Sequence, residues 1–365
     1  MGIAIARKID RYLGHLFCFL LKGKDEGKVG KKNRVLIIKL SGIGDGILLL
    51  PSIKPLTRDH EVTLLISRQL APIFSGKKYL RRIITVKSPL DPKVVKIILW
   101  SRGYFDYIID AGQAYSFPTI LAHLLRPKVL VGFSSINRSR DKLLQRKVSI
   151  DPARHMVFCY YDLCSLVGKI PKPKRLEKVE YSREDEELVG RIPIQRPYIC
   201  ISPGGSGSKV LVAWPEERFI ELIRRLKGCS IVLTGDKNDK ELCERIARDT
   251  PAISLAGNLT LKQLSCLYEG AACVVSNDSG PMHISAAMNA PTVGLFGPDT
   301  PIRYAPFGKG NISLYKKMHC SPCRKAYLAS WNECKAQYCM QKILVGEVEQ
   351  AVKNAVSAQP LRQLS

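Results

Sequence analysis

Residues 34–40, Arg-Val-Leu-Ile-Ile-Lys-Leu, form a short, nearly continuous apolar run rich in β-branched side chains, and the glycine-rich stretch 41–46 separates it from a helical pattern. A run of this length feeding a helix predicts a parallel strand buried on both faces. Runs at 61–67, 82–86, 107–111 and 129–133 read as further strands, with helices at 94–100 and 117–125. This alternation predicts an α/β domain with a mainly parallel sheet. Proline and charge break the pattern at 170–175, and a second series begins with strands at 198–202, 231–234, 252–255, 273–276 and 292–296. The chain therefore divides into a segment 1–33, a first domain 34–175 and a second domain 176–365. Two similar halves imply a cleft, and because ligands bind at the carboxyl ends of parallel strands, the loops 41–46, 203–209 and 277–283 are expected to face it.

The segment before the first strand is of another kind. Residues 1–34 hold nine Lys or Arg against three acids, with Ile5, Ile9, Tyr12, Leu13, Leu16, Phe17 and Leu20 on one helical arc and Arg7, Lys8, Arg11 and His15 opposite. That arrangement predicts an interfacial helix, too short and too interrupted to span a bilayer and without a signal-peptide cleavage site. Docking on the protein's own surface is the competing reading. Residues 23–33, rich in Gly and Lys, are expected to be a flexible linker.

Charge narrows the partners. The 365 residues carry 57 Lys and Arg against 32 Asp and Glu, a net charge of +25, which favours an anionic partner: nucleic acid, anionic membrane or phosphorylated substrate. The sequence lacks the interleaving of basic and aromatic residues expected of a single-strand platform, which sets nucleic acid last and leaves membrane and substrate.

The chemistry concentrates where strands end. After 273–276 come Asn277, Asp278, Ser279, Gly280 and Pro281, so polar side chains and unpaired N–H groups converge at a helix start, with the amides of Met282 and His283 free for a phosphate. His283 equally suits a core or capping role. The loop 203–209, Pro-Gly-Gly-Ser-Gly-Ser-Lys, brings Ser206 and Lys209 to a diphosphate but lacks Walker spacing, and a plain surface loop also fits. Residues 41–46 fail as a dinucleotide fingerprint because Ile47 stands where the third glycine belongs. Asp45 there is either a capping residue or, given glycines at 42, 44 and 46 that allow close approach beside Ser41, a catalytic carboxylate. No catalytic metal-ligand spacing occurs, so a metal-free mechanism is expected. Of twelve cysteines, Cys320, Cys323, Cys334 and Cys339 are grouped as C-x2-C-x10-C-x4-C, which leaves structural zinc, disulfides and free thiols open.

Together these motifs resemble glycosyltransferase family 9, the ADP-heptose:lipopolysaccharide heptosyltransferases, over residues 34–348 and most nearly the second heptosyltransferase. The stretch 34–45 looks like the family's N-terminal motif, 276–283 with 294–298 like its donor motif, and the late cysteines with Met340 and Ile343 like a recurrent segment. The resemblance implies a GT-B fold of two Rossmann-like domains around a cleft, acceptor held by the first and nucleotide sugar by the second, with no cofactor required. It makes Asp45 the general base of an inverting transfer and places Asp278, Ser279, Gly280, Met282 and His283 in the donor site, joined by Ser206 and Lys209. Ser41, Gly44, Asp110 and Gln113 are the acceptor candidates. The sequence departs from the family at Val212, where a diphosphate-binding lysine is usual, and at Asp110-Ala-Gly-Gln113, where Asp-x-Gln-Gly is usual. The implied donor is ADP-heptose or a similar nucleotide sugar. The implied acceptor is the lipopolysaccharide core or another anionic lipid-linked glycan, at the cytoplasmic face of the inner membrane. A nucleotide-sugar epimerase of related architecture, and a non-catalytic lipopolysaccharide-assembly protein, are the alternatives.

Overall fold

The computed structural model describes residues 10–88, 91–113, 115–134, 138–205, 213–323, 334 and 337–358. The chain separates into two units, residues 1–173 and 174–365. The first contains β1 (Asn33–Lys39), β2 (His60–Ser67), β3 (Arg82–Val86), β4 (Tyr107–Asp110), β5 (Val129–Ser134) and β6 (Arg146–Ser149), with α1 (His15–Leu20), α2 (Ile43–Leu56), α3 (Pro92–Trp100), α4 (Phe117–Leu124) and α5 (Met156–Ser165). Its sheet runs β3-β2-β1-β4-β5-β6, every pair parallel. The second contains β7 (Tyr198–Ser202), β8 (Ser230–Leu233), β9 (Ile253–Ser254), β10 (Cys273–Asn277), β11 (Thr292–Phe296) and β12 (Ile312–Tyr315), with α6 (Glu216–Arg225), α7 (Lys240–Arg248), α8 (Leu261–Glu269), α9 (Gly280–Ala287) and α10 (Val345–Ser357). Its order, β12-β11-β10-β7-β8-β9, is again all parallel.

Counted from the first strand of each unit, both sheets have the doubly wound order 3-2-1-4-5-6, the Rossmann arrangement the sequence pattern implies. In β1, Leu36 and Ile38 enter a core cluster with Val94 and Ile97 of α3 and Leu121 of α4, while Val35 and Ile37, equally buried, point to the other face by the two-residue alternation. Strands enclosed on both faces read as continuous apolar runs, and these were legible. The two that escaped the pattern are edge strands: β6, Arg-Lys-Val-Ser, alternates between half-buried and exposed, and β12 is half-buried throughout.

The N-terminal segment departs from expectation. Its described part, from residue 10, is fastened along the first unit rather than linked loosely to it. The Asp10 carboxylate accepts from the amides of Ser116 (2.9 Å) and Phe117 (2.7 Å), capping α4 from a distance in sequence. Cys18 is buried, the Gln145 side chain donates to the Lys24 carbonyl (2.8 Å), Glu26 pairs with Arg146, and the Gly27 amide donates to the Lys128 carbonyl (2.9 Å). Residues 24–27 thus find backbone and side-chain partners that a free linker lacks. Leu13, Leu16, Phe17, Phe19 and Leu20 stay exposed. Among the described residues no helix is long and apolar enough to cross a membrane.

Because Asp10 supplies the cap of α4, Asp10→Ala should lower stability by about 1 kcal/mol, the usual cost of a lost N-cap. Urea unfolding followed by far-UV circular dichroism measures it; an unchanged midpoint would show that the amides of Ser116 and Phe117 are satisfied without the arm.

Candidate active site

In the first unit, strand order reverses between β1 and β4, and the loops leaving these strands meet there. β1 ends on Lys39, only 3% exposed, whose ammonium donates to the Ala111 carbonyl (3.2 Å) and the Tyr160 hydroxyl (2.9 Å) and lies 3.4 Å from Asp45 Oδ2. Gln113, just beyond β4, donates from Nε2 to Asp45 Oδ1 (3.0 Å) and to the Tyr160 hydroxyl (3.1 Å). The chain turns from β1 into α2 at Gly42, where φ is +83° and an added Cβ would fall 2.7 Å from Asp45 Oδ2. Glycine is therefore required twice over, for the backbone angle and for room beside the carboxylate.

This arrangement bears on the two readings of Asp45. It lies in the first turn of α2, but no side chain caps that helix, and both carboxylate oxygens are instead held by Gln113 and Lys39. Its side chain is 23% exposed, so an incoming hydroxyl can reach it. A buried ammonium requires a compensating charge, and Asp45 supplies one at the solvent boundary. Ser41 and Gly44 flank it, both partly exposed. Asp110 is placed otherwise than expected. It is completely buried, accepts from the Gly112 amide (2.8 Å) and the Thr119 hydroxyl, and burial raises its pKa against the opposing influence of Arg140. It shapes the loop that carries Gln113 and does not line a surface. Arg140, itself buried, helps by donating to the carbonyls of Gly112 (3.1 Å), Tyr115 (2.8 Å) and Phe133 (2.9 Å).

The second unit repeats the logic between β7 and β10. Asn277, buried at the end of β10, donates to the carbonyls of Pro203 (2.8 Å) and Gly204 (3.2 Å) and accepts from the Trp214 amide (3.1 Å). One amide side chain thereby holds both ends of the loop joining β7 to α6. Ser206, Lys209 and Val212 lie in that loop, outside the described residues. Ser279 stands at the N-cap of α9 without a side-chain capping bond, its hydroxyl 3.3 Å from that of Ser276, and Pro281 occupies the first turn. The start of α9 thus presents amides that no side chain caps. Gly280 opens that helix, and Asp278 is half-buried, its amide donating to the Leu295 carbonyl (3.1 Å). Met282 is fully buried against Gly294, where an added Cβ would approach its sulfur to 2.6 Å, so only its backbone can serve a ligand. His283 is nearly buried, its ring edge-on to Tyr304 at 6.3 Å.

The late cysteines form no disulfide here: Cys320 and Cys334 are exposed, Cys323 half-buried and Cys339 buried. Burial first, then the neighbouring thiols, push Cys339 up to about 11. Among the described residues no three His, Cys, Asp or Glu side chains converge closely enough to hold a metal ion.

With this geometry in hand, a sequence model of glycosyltransferase family 9 (heptosyltransferase) matches residues 101–330. The chain belongs to that family. As a family 9 glycosyltransferase it is 24% identical over 303 residues to the lipopolysaccharide core heptosyltransferase OpsX of Haemophilus influenzae, covering 77% of this chain and 84% of that one. Its fold is that of a family 9 glycosyltransferase from Veillonella parvula (TM-score 0.75, 19% identity, 92% and 100% covered) and of Escherichia coli ADP-heptose heptosyltransferase II (TM-score 0.69, 20% identity, 89% and 98% covered). Lys39 and Tyr160 of this glycosyltransferase escaped sequence reasoning as site residues, as did the clamping role of Asn277. A lysine closing an otherwise apolar buried strand was the available signal for the first; nothing local marks Tyr160.

Asn277→Ala removes the clamp on the β7–α6 loop. It should destabilise the protein by about 1–3 kcal/mol, because buried carbonyl and amide groups lose their partner, and weaken nucleotide binding besides. Calorimetric titration with ADP alongside urea unfolding tests both; wild-type ADP affinity would remove the clamp from the donor site.

Proposed function

We propose that this glycosyltransferase moves heptose from ADP-heptose, with inversion, to the lipopolysaccharide core or a closely related lipid-linked glycan. The observation that carries the reading is the Asp45 carboxylate at the strand-order reversal, part-exposed and fixed through both oxygens. The kinship with OpsX and heptosyltransferase II supports the donor and acceptor class.

In this reading the acceptor hydroxyl approaches Asp45, which takes its proton as the oxygen attacks the anomeric carbon and the diphosphate departs from the opposite face. Lys39 and Gln113 hold the carboxylate aimed, and Tyr160 fixes both of them. Ser41 and Gly44 border the acceptor, with Gln113 at its base. Near the ends of β2 and β3 a polar groove of about 400 Å³, lined in part by Arg68, Lys87 and Lys93, offers positive charge to an anionic acceptor. In the second unit the first amides of α9, at Gly280, Met282 and His283, with Asp278 and Ser279 beside them, receive the nucleotide diphosphate, aided by Ser206 and Lys209; dipole and N–H groups there favour negative charge as it develops on the leaving group. The enzyme works at the cytoplasmic face of the inner membrane, where its basic surface and the residues 1–30 meet anionic lipid.

The test is transfer itself. Incubated with ADP-heptose and a heptose-deficient lipopolysaccharide core, the protein should add one heptose by mass, and free isomerised nucleotide sugar or no turnover would favour the epimerase or the non-catalytic alternative. Asp45→Asn should retain ADP-heptose binding and lose about 10²- to 10⁴-fold in turnover, the usual worth of a general base. The buried Lys39 loses its counter-charge in that variant, so the rate is read well below its melting temperature. Turnover near wild type would eliminate Asp45 as the base.

A further inference from the structure

The N-terminal arm is one part of a wider apolar surface on the first unit. It runs beside α4, from Asp10 at the helix start to Gly27 at Lys128 beyond its end. On the same face of the sheet lies α3, packed through Val94 and Ile97 into the core cluster that also receives Leu121 of α4. Its outward side carries Val95, Leu99 and Trp100, the last 86% exposed, and Leu124 at the end of α4 is exposed as well. A tryptophan so open to water has no structural task in the isolated chain.

The charges on this surface say what covers it. Arg102 follows α3, Arg126 follows α4 and Lys24 belongs to the arm, all three exposed. Desolvation, then the charges of Arg126 and Arg102, hold Lys24 below the ordinary lysine range, and His123 is lowered by burial and then by Lys24 and Arg126. These cations therefore crowd one another, and among the described residues none of the three has an acidic partner. Exposed cations beside exposed aromatic and aliphatic side chains match the headgroup and acyl boundary of an anionic bilayer, where tryptophan also partitions well.

We propose that α3, through Leu99 and Trp100, is a second membrane anchor that works with the N-terminal arm, the cluster Arg102, Arg126 and Lys24 binding lipid phosphates between them. This rests on the peripheral membrane reading above and specifies its surface. Two anchors fix the orientation of the first unit on the bilayer, which a single arm does not.

Sedimentation with phosphatidylglycerol-containing vesicles and with neutral phosphatidylcholine vesicles tests it on the full chain. Wild type should bind the anionic vesicles preferentially, and Leu99→Asp with Trp100→Asp should lower partitioning by about tenfold or more, the scale set by withdrawing one large apolar side chain. Arg102→Glu with Arg126→Glu should lower it for anionic vesicles alone. Trp214 is buried and Trp331 lies outside the described residues, so emission is read in a Trp331→Phe background, where the blue shift on adding vesicles should fall away when Trp100→Phe is added. All these positions are exposed, so melting temperature and transfer to a detergent-dispersed acceptor should stay at wild-type values. If wild type fails to bind anionic vesicles, the membrane reading falls and this inference with it. Wild-type binding by the Leu99→Asp, Trp100→Asp variant overturns the second anchor alone and leaves the arm's role intact.

Discussion

Every strand pair described in this chain is parallel, and a parallel sheet can be built only with crossovers that cover both faces. Right-handed crossovers, begun from the middle strand and wound outward in both directions, leave one place per sheet where neighbouring loops diverge. The first unit puts Asp45 and Gln113 at that place, from the loops after β1 and β4. The second puts Asn277 there, bonded to the loop after β7. Chemistry-bearing residues far apart in sequence meet because winding leaves an opening at this edge.

What stands at the opening in the first unit is an electrostatic balance. β1 delivers Lys39 into a nearly dry position, where a cation is tolerated only with oxygen partners, and Ala111, Tyr160 and Asp45 provide them. Asp45 alone of these faces outward. The same contacts that satisfy the lysine thus orient the carboxylate, and Gly42 makes room for it. Asp110, Thr119 and Arg140 hold the loop that brings Gln113 into line, so buried polar groups shape the site without entering it.

The surplus positive charge has more than one destination. Part lies near the ends of β2 and β3, at Arg68, Lys87 and Lys93, and part on the outer face of α3, α4 and the arm. If the acceptor is the proposed anionic lipid-linked glycan, attraction serves at both places, to the substrate and to the surface that holds it.

The sequence determined the repeated α/β series, the interior strands and the general site loops, because residues enclosed on both faces must be apolar and because turn and helix-start residues follow them at once. Tyr198–Ser202 and Thr292–Phe296 are read without error on that ground. Edge strands such as Arg146–Ser149 obey no such requirement, and their pairing partners alone make them strands. Sequence also singled out Asp45 and Gln113 but could not join them, since 68 positions separate them and only strand order makes them neighbours. Tertiary structure alone enclosed Asp110, brought Tyr160 to Lys39, fastened the N-terminal arm to α4 and turned Trp100 outward. Each of these depends on which helix face the sheet leaves uncovered, and that is settled by packing between distant segments rather than by any local pattern.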